Sequence, residues 1–280
     1  MIINPGVNAS YLSENEVLKL KEGLGEIFSN QEIKCLLKYG LGNYKEGVSD
    51  IDLLCLTRKT VTDKKVLSEM GEEITELYES FGGGFNFRKK FPSIKRLPKG
   101  ADPDLSVYDE STFSKYGLTT MDNYFCKLFE SGKSEVLAGE YPKEIRFPEK
   151  IDKALTYLAN NISTLRKFPL LKGVILRFKG EEGLKNVKYS NIVKMVDLPY
   201  AVFNYIEKGV PENREDAVEY LEGEFSNIYH GPLRLLLESK KSFGDKMRFL
   251  GSKESDNLLL AGITWYEQVV SELLFLHPPS

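Results

Sequence analysis

Two carboxylates one residue apart, Asp50 and Asp52, open a hydrophobic run in Ser49-Asp50-Ile51-Asp52-Leu53-Leu54 that continues through Leu56. Side chains alternate faces along a β-strand, so the two acids project to one side about 7 Å apart. Ile51, Leu53 and Cys55 project to the other side, where a core can take them. Two carboxylates set in this way can share divalent cations. A pair of cations roughly 4 Å apart is the clamp used in in-line phosphoryl chemistry. Solvated acids on a surface strand would show the same spacing, so the pair takes its meaning from what surrounds it.

The elements around it read as a small sheet with helices. Ser13 and Glu16 have capping-box spacing, and Val17, Leu18, Leu20, Leu24, Ile27 and Phe28 make a helical stripe. Ile33 to Tyr39 reads as a largely buried strand ending at Gly40, and a turn from Gly40 to Gly47 leads into the acid-bearing strand Asp50 to Thr57. Val66 to Phe81 returns to helical spacing and stops at Gly82-Gly83-Gly84. Phe85 to Phe91 alternates like an edge strand, and Asp104 to Tyr108 is a further strand. A helix ending at Gly132 and a strand after it close the unit. From about Phe147 the texture becomes helical, with segments over 149–168, 189–208, 212–225, 232–240 and 254–274. The expected fold class is therefore α+β, a small mixed-sheet domain over 1–146 followed by an α-helical bundle domain over 147–280.

Length and composition agree with two domains, since 280 residues exceed what one core usually fills. A net charge of -3 advertises no nucleic-acid or membrane surface. The first residues lack the basic start and apolar stretch of a secretory signal, and no apolar run approaches a spanning helix. Cys35, Cys55 and Cys126 are odd in number, which suits buried, reduced thiols and a cytoplasmic setting. The only two histidines, His230 and His277, are remote in sequence, which argues against a zinc or catalytic histidine.

The run Tyr39-Gly40-Leu41-Gly42-Asn43-Tyr44-Lys45-Glu46-Gly47-Val48-Ser49-Asp50-Ile51-Asp52-Leu53-Leu54 resembles the signature of the DNA-polymerase-β-like nucleotidyltransferase superfamily, in the small bacterial and archaeal type with a helical C-terminal domain. In that pattern a glycine and a serine or second glycine end the first strand, and Asp-hydrophobic-Asp follows on the second. The resemblance covers roughly the first half of the chain. It implies a nucleoside triphosphate, two Mg²⁺ or Mn²⁺ ions, and transfer of a nucleoside monophosphate to an acceptor hydroxyl with release of pyrophosphate. The acceptor would be a small molecule, an RNA or a protein, with no membrane involved and homodimer formation left open.

The same resemblance assigns Asp50, Asp52 and a third carboxylate as catalytic and metal-binding. Asp104 matches the third in order and spacing, with Asp102 and Asp109 as competitors. Gly40, Leu41, Gly42, Asn43 and Ser49 would bind the nucleotide. Leu41 departs from the pattern because it has no hydroxyl, although Gly42-Asn43 offers a second register. The alternative that this departure motivates is a non-catalytic nucleotide- or RNA-binding protein with a degenerate site.

Other motifs are set aside on their chemistry. Gly42 to Ser49 nears a phosphate-binding P-loop, but Val48 stands where its lysine must be and a strand follows. Gly82-Gly83-Gly84 follows a helix, which a dinucleotide fingerprint does not. Arg88, Lys89, Lys90, Lys95, Arg96 and Lys99 form a basic segment that solvation alone would explain, or that would contact phosphate or RNA.

Overall fold

The computed structural model describes residues 13–39, 51–81, 103–119, 123–143, 145, 147, 152–241 and 253–279. Four strands form one mixed sheet: β1 (Ile33–Tyr39), β2 (Ile51–Thr57), β3 (Pro103–Asp109) and β4 (Glu135–Gly139). Their order is β3-β2-β1-β4. β1 pairs antiparallel with both β2 and β4, whereas β2 and β3 are parallel. A parallel pair needs a crossover connection. Helix α2 (Lys64–Ser80) lies in that connection, and α1 (Glu14–Ile27) precedes the sheet. The capping box is present, with the Glu16 amide on the Ser13 hydroxyl and the Ser13 amide on the Glu16 carboxylate. Helix α3 (Asn123–Glu130) leads into β4. The expected edge strand over 85–91, the glycine triplet and the basic segment lie outside the described residues.

Alternation along the strands divides two cores. Leu53 and Cys55 of β2, with Leu36 of β1 and Leu105 and Val107 of β3, pack with Leu20, Leu24, Met70 and Tyr78 of α1 and α2. Leu54 and Leu56, with Leu37, Tyr39 and Tyr108, enter a second core built with the later helices. Each apolar side chain fully buried in this way contributes about 1.5–3 kcal/mol. All three cysteines are free and buried, and burial raises the Cys35 thiol to about 12.

The later helices are α4 (Lys153–Val196), α5 (Leu198–Glu207), α6 (Arg214–Glu224), α7 (Gly231–Lys241) and α8 (Lys253–Leu276). Among the described residues α8 alone is long and apolar enough to cross a membrane, and more than half of that stretch is buried in the protein. Helix α4 joins the halves, because Leu165 and Phe168 enter the core with the bundle while Leu170 and Val174 enter the core with α1 and α2.

Two helix boundaries differ from the sequence expectation. The segment expected to end at Phe168 continues through Pro169, and the one expected over 189–208 is divided at Asp197, with Pro199 in the first turn of α5. Glycines inside α2 and α4 let the two helices cross closely. Gly71 on α2 meets the Pro169 and Leu170 carbonyls, and a Cβ there would stand 2.3 Å from the Pro169 oxygen. Gly173 admits Thr75 in the same way, with 2.4 Å to its hydroxyl.

The true break in α4 is Gly180, at φ 69° and ψ -176°, a conformation essentially confined to glycine. In a straight helix Lys172 and Lys188 would stand about 24 Å apart. Instead both ammonium groups lie 2.5 Å from the two oxygens of Asp256, so the arms lean together across the break. Gly180→Ala is expected to cost about 1–3 kcal/mol by backbone strain alone, since nothing crowds a Cβ there. Gly71→Ala should cost at least as much, for the opposite reason: its backbone is helical and its space is taken. Urea unfolding of the two variants measures both.

Candidate functional site

Asp52 is half-buried near the start of β2, opposite Tyr39 of β1 and opposite Asp104 of β3 in the parallel register. Its strand parity is that of Leu54 and Leu56, so it lies on the sheet face that the bundle covers, beyond the apolar part of that face. Position 104 has the parity of Tyr108, which enters the same core. The sheet thus brings positions 52 and 104 side by side at one end of its parallel pair. Asp109 is the register partner of Thr57, about 16 Å further along the strand, which removes it as the third acid beside Asp52. Asp50, Asp102, Gly40, Leu41, Gly42, Asn43 and Ser49 lie outside the described residues. Among the described residues no group of three His, Cys, Asp or Glu side chains is close enough to hold a metal.

Helix α4 positions the strand that carries Asp104. Among the described residues β3 stands at one edge of the sheet, and its Val107 amide donates to the Ser163 hydroxyl of α4 at 2.9 Å. Three residues on, Arg166 lies 3.7 Å from Asp109, two residues along β3. The two contacts give α4 and β3 the same sense, so the first turns of α4 lie toward the end of β3 that carries Asp104. At that end of α4, a groove of about 460 Å³ opens against α5, lined by Lys153, Tyr157, Asp197, Tyr200 and Asn204.

At the opposite end of the strands a buried ion network ties the sheet to the bundle. Glu267 of α8 accepts from the Arg166 Nε at 2.6 Å, from the Thr62 amide at 3.1 Å and from the Lys64 ammonium. Arg166 also donates to the Thr60 carbonyl. Asp109 accepts from the Thr60 hydroxyl at 3.2 Å and the Thr112 amide at 2.8 Å. Arg166 and Glu267 are fully buried, Asp109 nearly so, and Lys64 is buried as well. Burial lowers the Lys64 pKa from the ordinary lysine value, and the Glu267 carboxylate works in the other direction. Two positive and two negative groups leave the network neutral, so it reads as a junction between halves rather than a place for a ligand.

Sequence reading did not single out Arg166, Lys64 or Glu267. For Glu267 a signal existed, because it is the only charge between Asp256 and Glu272 in an otherwise apolar helix. Arg166 sits within the core stripe of Ile162, Leu165 and Phe168, where a buried charge calls for a partner. Lys64 opens a helix, where an ordinary solvated lysine would look the same. Compared with protein-family models and with curated proteins, the chain matches none.

Proposed function

We propose that this chain is a metal-dependent nucleotidyltransferase, moving a nucleoside monophosphate from a triphosphate to an acceptor hydroxyl. The observation that carries the reading is the parallel register that sets position 52 of β2 beside position 104 of β3. The antiparallel pairing of β1 with β2, with β3 parallel to the acid-bearing strand, agrees with it.

The donor chemistry fits a hard cation, since carboxylate oxygens are what Mg²⁺ selects and Asp52 is half-buried rather than sealed in the core. Asp50, Asp52 and Asp104 would hold the ions. When bound, such ions neutralise charge on the triphosphate and the leaving pyrophosphate. In the reaction the acceptor oxygen forms a bond to the α-phosphorus, the bond from that phosphorus to the β-bridging oxygen breaks, and pyrophosphate leaves. Asp104 would take the acceptor proton. Backbone amides of Gly40 and Gly42, with the Asn43 side chain, would cradle the phosphates in place of the hydroxyl that Leu41 lacks. The groove between Tyr157 of α4 and Tyr200 of α5 would receive the acceptor, since ligand sites also form between the helices of bundles.

The test is incubation with α-labelled nucleoside triphosphates and Mg²⁺ or Mn²⁺ over a panel of RNAs, proteins and small alcohols. Transfer of label to one acceptor class is the expected result. Binding of the triphosphate without transfer to any acceptor would favour the non-catalytic alternative, which the Leu41 departure motivates.

A further inference from the structure

We infer that His230 is a proton-sensitive latch fastening the corner between α6 and α7 to α8. The ring is buried and both nitrogens are engaged. Nδ1 receives the Trp265 indole N–H at 3.1 Å, and Nε2 lies 3.0 Å from the Phe225 carbonyl. An indole N–H only donates and a carbonyl only accepts. The two contacts therefore fix one species, the neutral ring with its proton on Nε2 and a lone pair on Nδ1. The rings meet edge to face, with centroids 6.2 Å apart and planes at 76°.

A proton added to this ring must go to Nδ1, where it faces the indole N–H. The bond between the corner and α8 is then replaced by two opposed donors. The surrounding charges do not decide the outcome. Glu222 of α6 attracts a proton on the ring, but Arg234 of α7 holds that carboxylate with bonds of 2.9 and 2.7 Å. Tyr229 of the corner lies beside Arg234, and Trp265 is the group that α8 presents to the ring. The other histidine has a different setting, because His277 Nε2 lies 2.9 Å from the Glu224 carboxylate. A proton on His230 therefore loosens the contact between the corner and α8.

Trp265 is the chain's only tryptophan, so its emission reports the latch without labelling. The full-length protein is titrated from about pH 8 to pH 5, the range in which imidazoles change charge. A one-proton change in Trp265 intensity and emission maximum is expected, together with loss of the hydrogen-bonded indole resonance in ¹⁵N-edited spectra. His230→Asn, which keeps an acceptor for the indole but cannot take a proton, should give a flat profile. His277→Asn should keep the wild-type profile, and it decides the matter on its own if His230→Asn does not fold. A wild-type indole signal unmoved across the range overturns the latch, as does a transition that survives in His230→Asn or vanishes in His277→Asn.

Discussion

Asp52→Asn is expected to abolish metal-dependent nucleotidyl transfer, lowering the rate by at least ~100-fold while leaving the fold intact. The magnitude is that of losing one group aimed at charge developing in a transition state. Asparagine keeps the shape and one oxygen of Asp52 but removes the negative charge, so it separates chemistry from packing. Asp52 is half-buried at a strand end, and asparagine is close to it in size and can still accept a hydrogen bond. The melting temperature should therefore move little while transfer is lost. Initial rates at saturating triphosphate, over a range of Mg²⁺ concentrations, measure the effect. Transfer at an undiminished rate in the variant would remove Asp52 from the site.

Glu267→Gln should be among the most destabilising single changes in the chain, by about 3–5 kcal/mol, the range for removing one member of a buried ion pair. Glu267 holds Arg166, Lys64 and the Thr62 amide together, and the variant leaves two buried cations facing one remaining acid, Asp109. The pH dependence has a definite sign. Burial already lowers the Lys64 pKa, and removing the carboxylate that opposes this lowers it further. Between the folded and unfolded values the unfolded chain holds the extra proton, so stability rises with pH there. The variant should thus recover part of its loss on the alkaline side, as Lys64 is buried neutral. Chemical denaturation of wild type and variant at neutral and alkaline pH measures this. A loss below 1 kcal/mol, or one that grows with pH, contradicts the role given to Glu267.

The sheet was legible because its signals are local. Ser13 and Glu16 cap α1 within one turn, the strands at Ile33 and Ile51 carry apolar runs of strand length, and the strand at Pro103 places Leu105 and Val107 in alternation. The pairing of Asp52 with Asp104 could be anticipated in order but not in register, since register depends on the crossover through α2. Helix α4 was misread for a physical reason. Pro169 and Gly173 interrupt its pattern, yet both lie where α2 and α4 approach too closely for ordinary side chains. The pairing within the ion network was illegible, although Glu267 alone stood out in its apolar helix, because a buried lysine or arginine looks like a solvated one until its partners are known. Lys64, Asp109, Arg166 and Glu267 come from four separate elements, and no short window of sequence contains more than one of them.

The central claim is that the acidic end of β2 and β3 binds a nucleoside triphosphate through divalent cations. Its most direct test is calorimetric titration of the protein with a non-hydrolysable triphosphate, with and without Mg²⁺, for wild type and Asp52→Asn. Saturable binding of one nucleotide per chain that requires Mg²⁺ and is lost in Asp52→Asn is the expected result. No binding by the wild type, or binding that ignores both the metal and the substitution, would contradict it.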